Sequence, residues 1–528
     1  MTRFSRRAAL RAAGAFAAAW SLPGFGATPS TELRIAMSAD VTSIDPHFLN
    51  VQPNNQVAFH LYDALTHVDA RARLVPGLAE SWRAVDPVTW EFRLRKGVRF
   101  HDGSAFTADD VVFSLERPPT LTKSPGPFTG FVRPIVAKEV VDPYTIRLKT
   151  ATPYAMVPQD LHSVVIVSKR AATGAASEDF DTGKAAIGTG PFRFGAFRRG
   201  DRVELLRNDG YWGGRPAWEK VTLRLMPTDA TRVASLLSGD VDVIEHIPTA
   251  DLARLRADAR LRLEQTTSWR TIFFHLDQGR DRAPFVTDRA GKPLERNPFR
   301  DVRVRRAVSL AINRAAIVER VMDGFALPAA NVVAPPVFGH VAARKADPYQ
   351  LDEAKRLLAE AGFPEGFGLT LHAPNNRYVN DEQIAQAVAQ MLTRAGIATK
   401  VETMPVATYF TRARNLEFSV AMLGWGSFSG DLALRTLAAT FDTQSGYGAW
   451  NWGRYGNPKV DALLKEGFAT TDEGRREAIA RDAAALALGE YALIPVHHQI
   501  ASWAMKRAIR YAPRTDEYTF AHQFSPER

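Results

Sequence analysis

Adjacent imidazoles at His497 and His498, adjacent carboxylates at Asp109 and Asp110, and a glycine-bracketed turn at Gly188-Thr189-Gly190 are where residue type and spacing could support chemistry. The chemistry would be metal binding, proton transfer and phosphate binding, respectively. Neighbouring residues of a strand point to opposite faces, so the two histidines cannot both reach one ion from the strand predicted over 493–499. A half-buried histidine is the plainer reading. The aspartates follow Thr107 at the start of an apolar run, the pattern of a capping box in which Thr107 and Asp110 satisfy orphan backbone donors. After Gly190 comes Pro191-Phe192-Arg193, where a dinucleotide cradle needs a third glycine and a helix start. No His-Glu-x-x-His, P-loop or Gly-x-Ser-x-Gly pattern occurs. The chain has no cysteine, which excludes disulfides, thiolate metal sites, a cysteine nucleophile and a thioether lipid anchor. These residues favour binding over turnover, with no cofactor and no metal.

The elements that must position any binding residues alternate between strand and helix. Residues 32–36 and 90–94 read as strands, 56–65 as a helix, and 107–115 as the helix opened by the capping box. Residues 302–316 place Val304, Ala307, Val308, Ala311 and Ile312 at helical spacing, with the local arginines mostly on the opposite, solvated face. Helices over 351–361 and 381–396 end at Gly362 and Gly396, with strands at 369–371 and 399–402 between and after them, a second α/β unit. Pro- and Gly-rich breaks fall at 117–134, 188–191, 210–216, 289–298 and 327–339.

The 528 residues suggest three or four core-sized units, and 45% hydrophobic with 23% charged residues is a soluble globular composition. Arg3, Arg6, Arg7 and Arg11 precede an Ala-rich run over 12–20 that is too short to span a membrane. Residues 1–26 therefore read as an export signal, with a small-x-small cleavage site at Gly24-Phe25-Gly26. Its arginine pair resembles a twin-arginine signal in which Ala9 replaces the usual aromatic; the general secretory route is the alternative. Removing the segment lowers the net charge from +10 to +6, and the arginine clusters lack the interleaved aromatics of a nucleic-acid surface. The expectation is an exported, periplasmic protein without a lipid anchor that binds no nucleic acid.

Several segments, in order, resemble the extracellular solute-binding protein family 5, the dipeptide-, oligopeptide- and nickel-binding proteins of ABC importers. They are Pro76-Gly77-Leu78-Ala79-Glu80-Ser81-Trp82, His101-Asp102-Gly103, Gly188-Thr189-Gly190-Pro191-Phe192, Asn208-Asp209-Gly210-Tyr211-Trp212, Gly239-Asp240-Val241-Asp242, Ala311-Ile312-Asn313 and Tyr455-Gly456-Asn457-Pro458. The resemblance spans about 32–520 and implies an α/β, two-lobed periplasmic-binding-protein (flytrap) fold with an extra inserted subdomain. Lobe I would comprise 32–75, 190–275 and 501–528, the insert 76–189, and lobe II 276–500. The implied function is capture of a small organic solute, peptide or peptide-like, in an interlobe cleft by a monomer. The solute would then pass to an ABC permease and ATPase complex through transient membrane contact. The alternative is an exported hydrolase or cofactor-dependent enzyme.

In the family's peptide binders an aspartate three residues after a cleft tryptophan holds the ligand α-amine. Here Trp425 matches the tryptophan, but the third residue on is Phe428, and Asp431 would substitute only if the loop turns back. The nickel binders use a histidine soon after that tryptophan, and none occurs over 425–442. Arg377, followed by Tyr378, lies near where dipeptide binders clamp the ligand carboxylate; a loop arginine in solvent is the other reading. Asn54 and Asn55, in a polar loop over 52–55, would offer neutral hydrogen bonds. Trp425, Phe428, Trp450 and Trp452 would supply an aromatic wall or simply pack in a core, and the glycines flanking Trp425 favour its exposure.

Overall fold

Leu33, Ile35, Ala36 and Met37 are all buried in the strand Glu32–Met37, as expected for a strand covered on both faces. It runs parallel to both of its neighbours, Lys220–Leu225 and Val243–Glu245. The computed structural model describes residues 31–121 and 123–527; the export signal assigned to 1–26 lies outside them. The strand belongs to a twelve-stranded mixed sheet among the described residues. From one edge its main path runs Val286–Thr287, Phe367–Pro374, Val420–Gly426, Leu261–Leu276, Ile494–Lys506 and Val243–Glu245. It continues through Glu32–Met37, Lys220–Leu225 and Arg202–Arg207 to Phe192–Arg198.

A sheet of this length does not enclose one core. Leu33, Ile35, Tyr62, Phe192, Leu223 and Trp503 pack in one cluster. Ile272, Phe274, Val304, Phe299, Leu371 and Ile384 pack in another, and Phe273, Leu423, Leu434 and Tyr409 in a third on the opposite sheet face. The two longest strands pass between these cores. Leu261–Leu276 pairs with Ile494–Lys506 from Leu261 to Thr267, then breaks register between Thr267 and Thr271. Beyond the break, Arg270 to Leu276 also pairs with Val420–Gly426.

A separate four-stranded antiparallel sheet, in the order Ala79–Asp86, Thr89–Leu94, Thr145–Thr150, Ile135–Asp142, has its own core of Phe92, Leu94, Phe106, Val111, Ile146 and Leu148. The helix Ala108–Glu116 covers it, and its start is capped as the sequence predicts: Thr107 N–H donates to Asp110 Oδ2 at 3.0 Å. Asp110 Oδ1 also accepts from Lys169 N–H at 2.9 Å, so this carboxylate is fully committed to structure.

Three local readings need correction. The helix expected over 56–65 is Gln52–Leu61, because Pro53 suits a first helical turn; Asn54 and Asn55 therefore stand in that turn and not in a loop. The helix expected over 302–316 is two, Val302–Ala311 and Arg314–Arg320, with the Asn313 side chain capping the second by accepting from Ala316 N–H at 3.0 Å. Arg305 is not on a solvated face. It is buried, and its guanidinium donates to the carbonyls of Glu490 (2.7 Å) and Phe299 (2.9 Å).

The Gly188-Thr189-Gly190 turn has a steric reason. A Cβ on Gly188 would lie 2.0 Å from Leu61 O, and one on Gly190 2.6 Å from Leu61 C, so the turn needs glycine to seat against the end of the first helix.

Candidate functional site

Trp425 and Arg377 sit on the two sides of one strand end. Trp425 lies within the strand Val420–Gly426, opposite Thr271, while its neighbours Gly424 and Gly426 pair with Ile272 and Arg270. Successive strand residues alternate faces, which separates the indole from Arg270. The flanking glycines make room for other rings. A Cβ on Gly426 would meet Trp269 Nε1 at 2.4 Å, and one on Gly424 would meet the Tyr378 ring at 2.6 Å. The Tyr378 hydroxyl donates to Gly424 O at 3.2 Å, fixing the segment that carries Arg377 against the Trp425 strand. On the other face Trp425 begins a chain of rings: Trp450 at 5.4 Å, then Trp452 at 5.5 Å from Trp450, with Phe410 5.8 Å from Trp450. Trp425 and Trp450 are half-buried and Trp452 is buried.

The charges on the Arg270 side are unbalanced. Arg270 Nη2 donates to Glu517 Oε2 at 2.7 Å, and Ser268 Oγ donates to Glu517 Oε1 at 2.6 Å. Burial works against the Glu517 charge, but Arg270, His246 and Ser268 outweigh it and hold the carboxyl at about 2. Glu517 takes a left-handed φ of 65°, an unfavourable backbone state for a side chain of its size, and that conformation sets its carboxylate on Arg270. Arg377 has no such partner among the described residues: its guanidinium lies 5.2 Å over the Tyr378 ring. The residue is exposed, yet enough protein surrounds its head for desolvation, and then the Arg270 charge, to lower its pKa.

Phe428 joins a different group. Its ring meets the edge of His162 at 6.1 Å, and His162 stacks on Phe59 at 5.3 Å. Phe59 in turn contacts Tyr518 (5.9 Å) and Phe520 (5.8 Å), and His522 stacks on Phe520 at 5.6 Å. Asn55 reaches the Tyr518 hydroxyl and donates to Asn50 Oδ1 at 2.8 Å. Asn54 is buried, with its amide donating to Thr42 Oγ1 (3.0 Å) and Ser43 O (3.3 Å), and so ties the loop after the first strand to the helix. Asp431 is also buried: it accepts from Ser429 Oγ and from Leu432 N–H (2.8 Å) and faces Arg476 Nε at 3.4 Å. Its environment is thus a helix start, and burial raises its pKa.

The structure therefore brings together Trp425, Tyr378 and Arg377 on one strand end, and Phe428 and Asn55 on an aromatic and imidazole group, while Asn54 and Asp431 are engaged within the protein. Trp269, Arg270, Glu517, Phe59, His162 and His522 join these surfaces without a sequence signal. His498 Nδ1 lies 2.8 Å from Thr271 Oγ1, and His497 is wholly buried in the sheet; burial lowers both to about 3. No cluster of three or more His, Asp or Glu that could hold a metal ion occurs among the described residues. A cavity of about 460 Å³ lined by Arg303, Arg306, Asp347 and Tyr491 involves none of these side chains.

The comparisons with known proteins agree with this architecture. The family model for bacterial extracellular solute-binding proteins, family 5 Middle, matches residues 73–446. Heme-binding protein A of Haemophilus influenzae is 29% identical over 452 residues, covering 80% of this chain and 79% of that protein. Glutathione-binding protein GsiB of Pectobacterium atrosepticum is 29% identical over 488 residues, covering 90% and 89%. Among solved structures, the periplasmic binding protein DppA of Helicobacter pylori, in complex with the peptide STSA, superposes with a TM-score of 0.76 at 24% identity. That match covers 94% of this chain and 98% of DppA and shows a shared two-lobed α/β fold. The chain belongs to family 5 of the bacterial extracellular solute-binding proteins.

Proposed function

We propose that this protein captures a small organic acid, peptide or peptide-like, between its two lobes in the periplasm and hands it to an ABC permease and ATPase complex. Members of this family bind solutes and are not enzymes, and the relatives named for heme, glutathione and peptide ligands support a carrier role. The observation that carries the reading is Arg377: an exposed guanidinium that forms no ion pair among the described residues and lies over the Tyr378 ring, against the strand that carries Trp425 on its other face. A planar, five-donor cation of this kind fits a ligand carboxylate.

The reading partitions the chain into lobe I (32–75, 190–275, 501–528), an inserted subdomain (76–189) and lobe II (276–500). The register break between Thr267 and Thr271 in the strand Leu261–Leu276 is a natural hinge, because backbone pairing is already interrupted there. The protein would act as a monomer, exported by the twin-arginine-like signal at 1–26 and free of a lipid anchor. Among the described residues no helix is long and apolar enough to cross a membrane. The test is mass spectrometry of small molecules released by denaturing the purified protein, followed by titration of the emptied protein with tryptophan fluorescence. A released acid that rebinds saturably supports the proposal. Absence of any released or rebinding solute argues against it.

A further inference from the structure

The charged groups around the candidate site divide unevenly. Glu517, Asp63, Asp516 and Asp431 are already engaged. Glu517 is held by Arg270 and Ser268. Asp63 accepts from Thr189 Oγ1 (2.8 Å), Tyr211 Oη (3.0 Å) and Trp212 Nε1 (2.9 Å), with His67 Nε2 at 3.2 Å. Asp516 pairs with Arg514, and Asp431 faces Arg476. Against these stands Arg377, which forms no ion pair among the described residues and lies over the Tyr378 ring. A ligand ammonium brought into the site would be stripped of water beside carboxylates that already have partners, whereas a ligand carboxylate would find the Arg377 guanidinium.

The second surface is neutral and unsatisfied. His162 Nδ1 and His522 Nδ1 are both inaccessible to solvent and have no hydrogen-bond partner among the described residues. Burial is the main reason both imidazoles stay uncharged, their pKa values lowered to about 3, with His67 and Arg514 acting in the same direction on each. The two rings flank a contiguous apolar surface: His162 on Phe59 and against Phe428, and His522 on Phe520, which touches Phe59. An uncharged imidazole nitrogen gives one hydrogen bond in a place where neither an ammonium nor a bare apolar group is well served.

Resting on the reading of this protein as a solute carrier, we infer that its solute is an acid without a free ammonium group. Its carboxylate lies on Arg377, and its other end, an amide carbonyl, lies on His162 and His522 beside Phe428. N-acylated peptides and lactams have this chemistry; free dipeptides do not.

Matched ligands test this on the wild-type mature protein. Calorimetric titration with N-acetyl-alanyl-phenylalanine and pyroglutamyl-phenylalanine, against alanyl-phenylalanine, is expected to favour the blocked members by about ten-fold or more, the range of one charged hydrogen bond. His162→Phe is expected to weaken the blocked ligands about ten-fold and to narrow the gap with the free dipeptide. Equal or tighter binding of the free dipeptide overturns the inference, and so does failure of every blocked ligand to bind. The two readings fail separately: a free-amine peptide released from the purified protein would leave the carrier function standing and remove the inference, whereas no released or rebinding solute would remove the carrier reading itself.

Discussion

Replacing Arg377 with glutamine separates binding from stability. The guanidinium stacks on Tyr378 but makes no ion pair with an acid, so its loss breaks no internal charge pair. It also removes a cation next to Arg270, whose charge already lowers the pKa of Arg377. Folding stability should therefore shift by no more than about 0.5 kcal/mol, the usual range for a surface change. Binding should respond strongly. A bidentate guanidinium–carboxylate contact in a partly desolvated site contributes roughly 2–4 kcal/mol, so the dissociation constant of the released solute should rise about 30- to 700-fold. Arg377→Lys keeps the charge without the planar fork and should recover only part of that loss. Arg270→Gln supplies the contrast: it leaves the buried Glu517 carboxylate uncompensated and should cost about 3–5 kcal/mol of stability. Calorimetric titration and urea denaturation of the three variants read the two quantities independently. Binding by Arg377→Gln within about three-fold of wild type, or a loss of stability comparable to that of Arg270→Gln, would refute the assignment of Arg377 to the ligand.

Asp45→Asn should destabilise the protein by about 3–5 kcal/mol in urea, because Asp45 takes both Arg117 donors at 2.7 Å in a buried site; an unchanged midpoint would mean the pair is dispensable. Gly426→Ala should displace the Trp269 indole, since its Cβ would sit 2.4 Å from Nε1, costing about 1–3 kcal/mol and changing the near-ultraviolet circular dichroism; a silent spectrum would contradict the packing. Burial holds His60 and His275 at about 4 and His497 at about 3, so the folded protein refuses protons that the unfolded chain accepts near 6.5. The stability these groups confer is complete above about pH 6.5 and is lost as pH falls toward 4, with proton uptake on unfolding; a denaturation midpoint constant between pH 7 and 5 would exclude this.

What could be seen in the sequence follows how far each residue's partner lies along the chain. The Thr107 and Asp110 capping box was legible because donor and acceptor are three residues apart, and the period-two run at 90–94 because strand burial is local. Glu91 in that run is nonetheless buried, held by Arg83 and Arg147, the latter 56 residues away. The helical period puts the arginines of this segment mostly on a solvated face, but the carbonyl of Glu490, 185 residues on from Arg305, draws that side chain inward. The glycines around Trp425 suggested an exposed loop, when what they accommodate is Trp269 and Tyr378 from two other segments. The same distance rule explains why half of the candidate site was silent. Arg270 and Glu517 are 247 residues apart, each unremarkable in its own neighbourhood, and the backbone bond from Trp269 N–H to Thr515 O brings their segments together. A single sequence displays its unusual residues, such as Phe428, more readily than its paired ones. Specificity in this protein was therefore easier to suspect from what stands at one position than from the charge balance that gives that position its meaning.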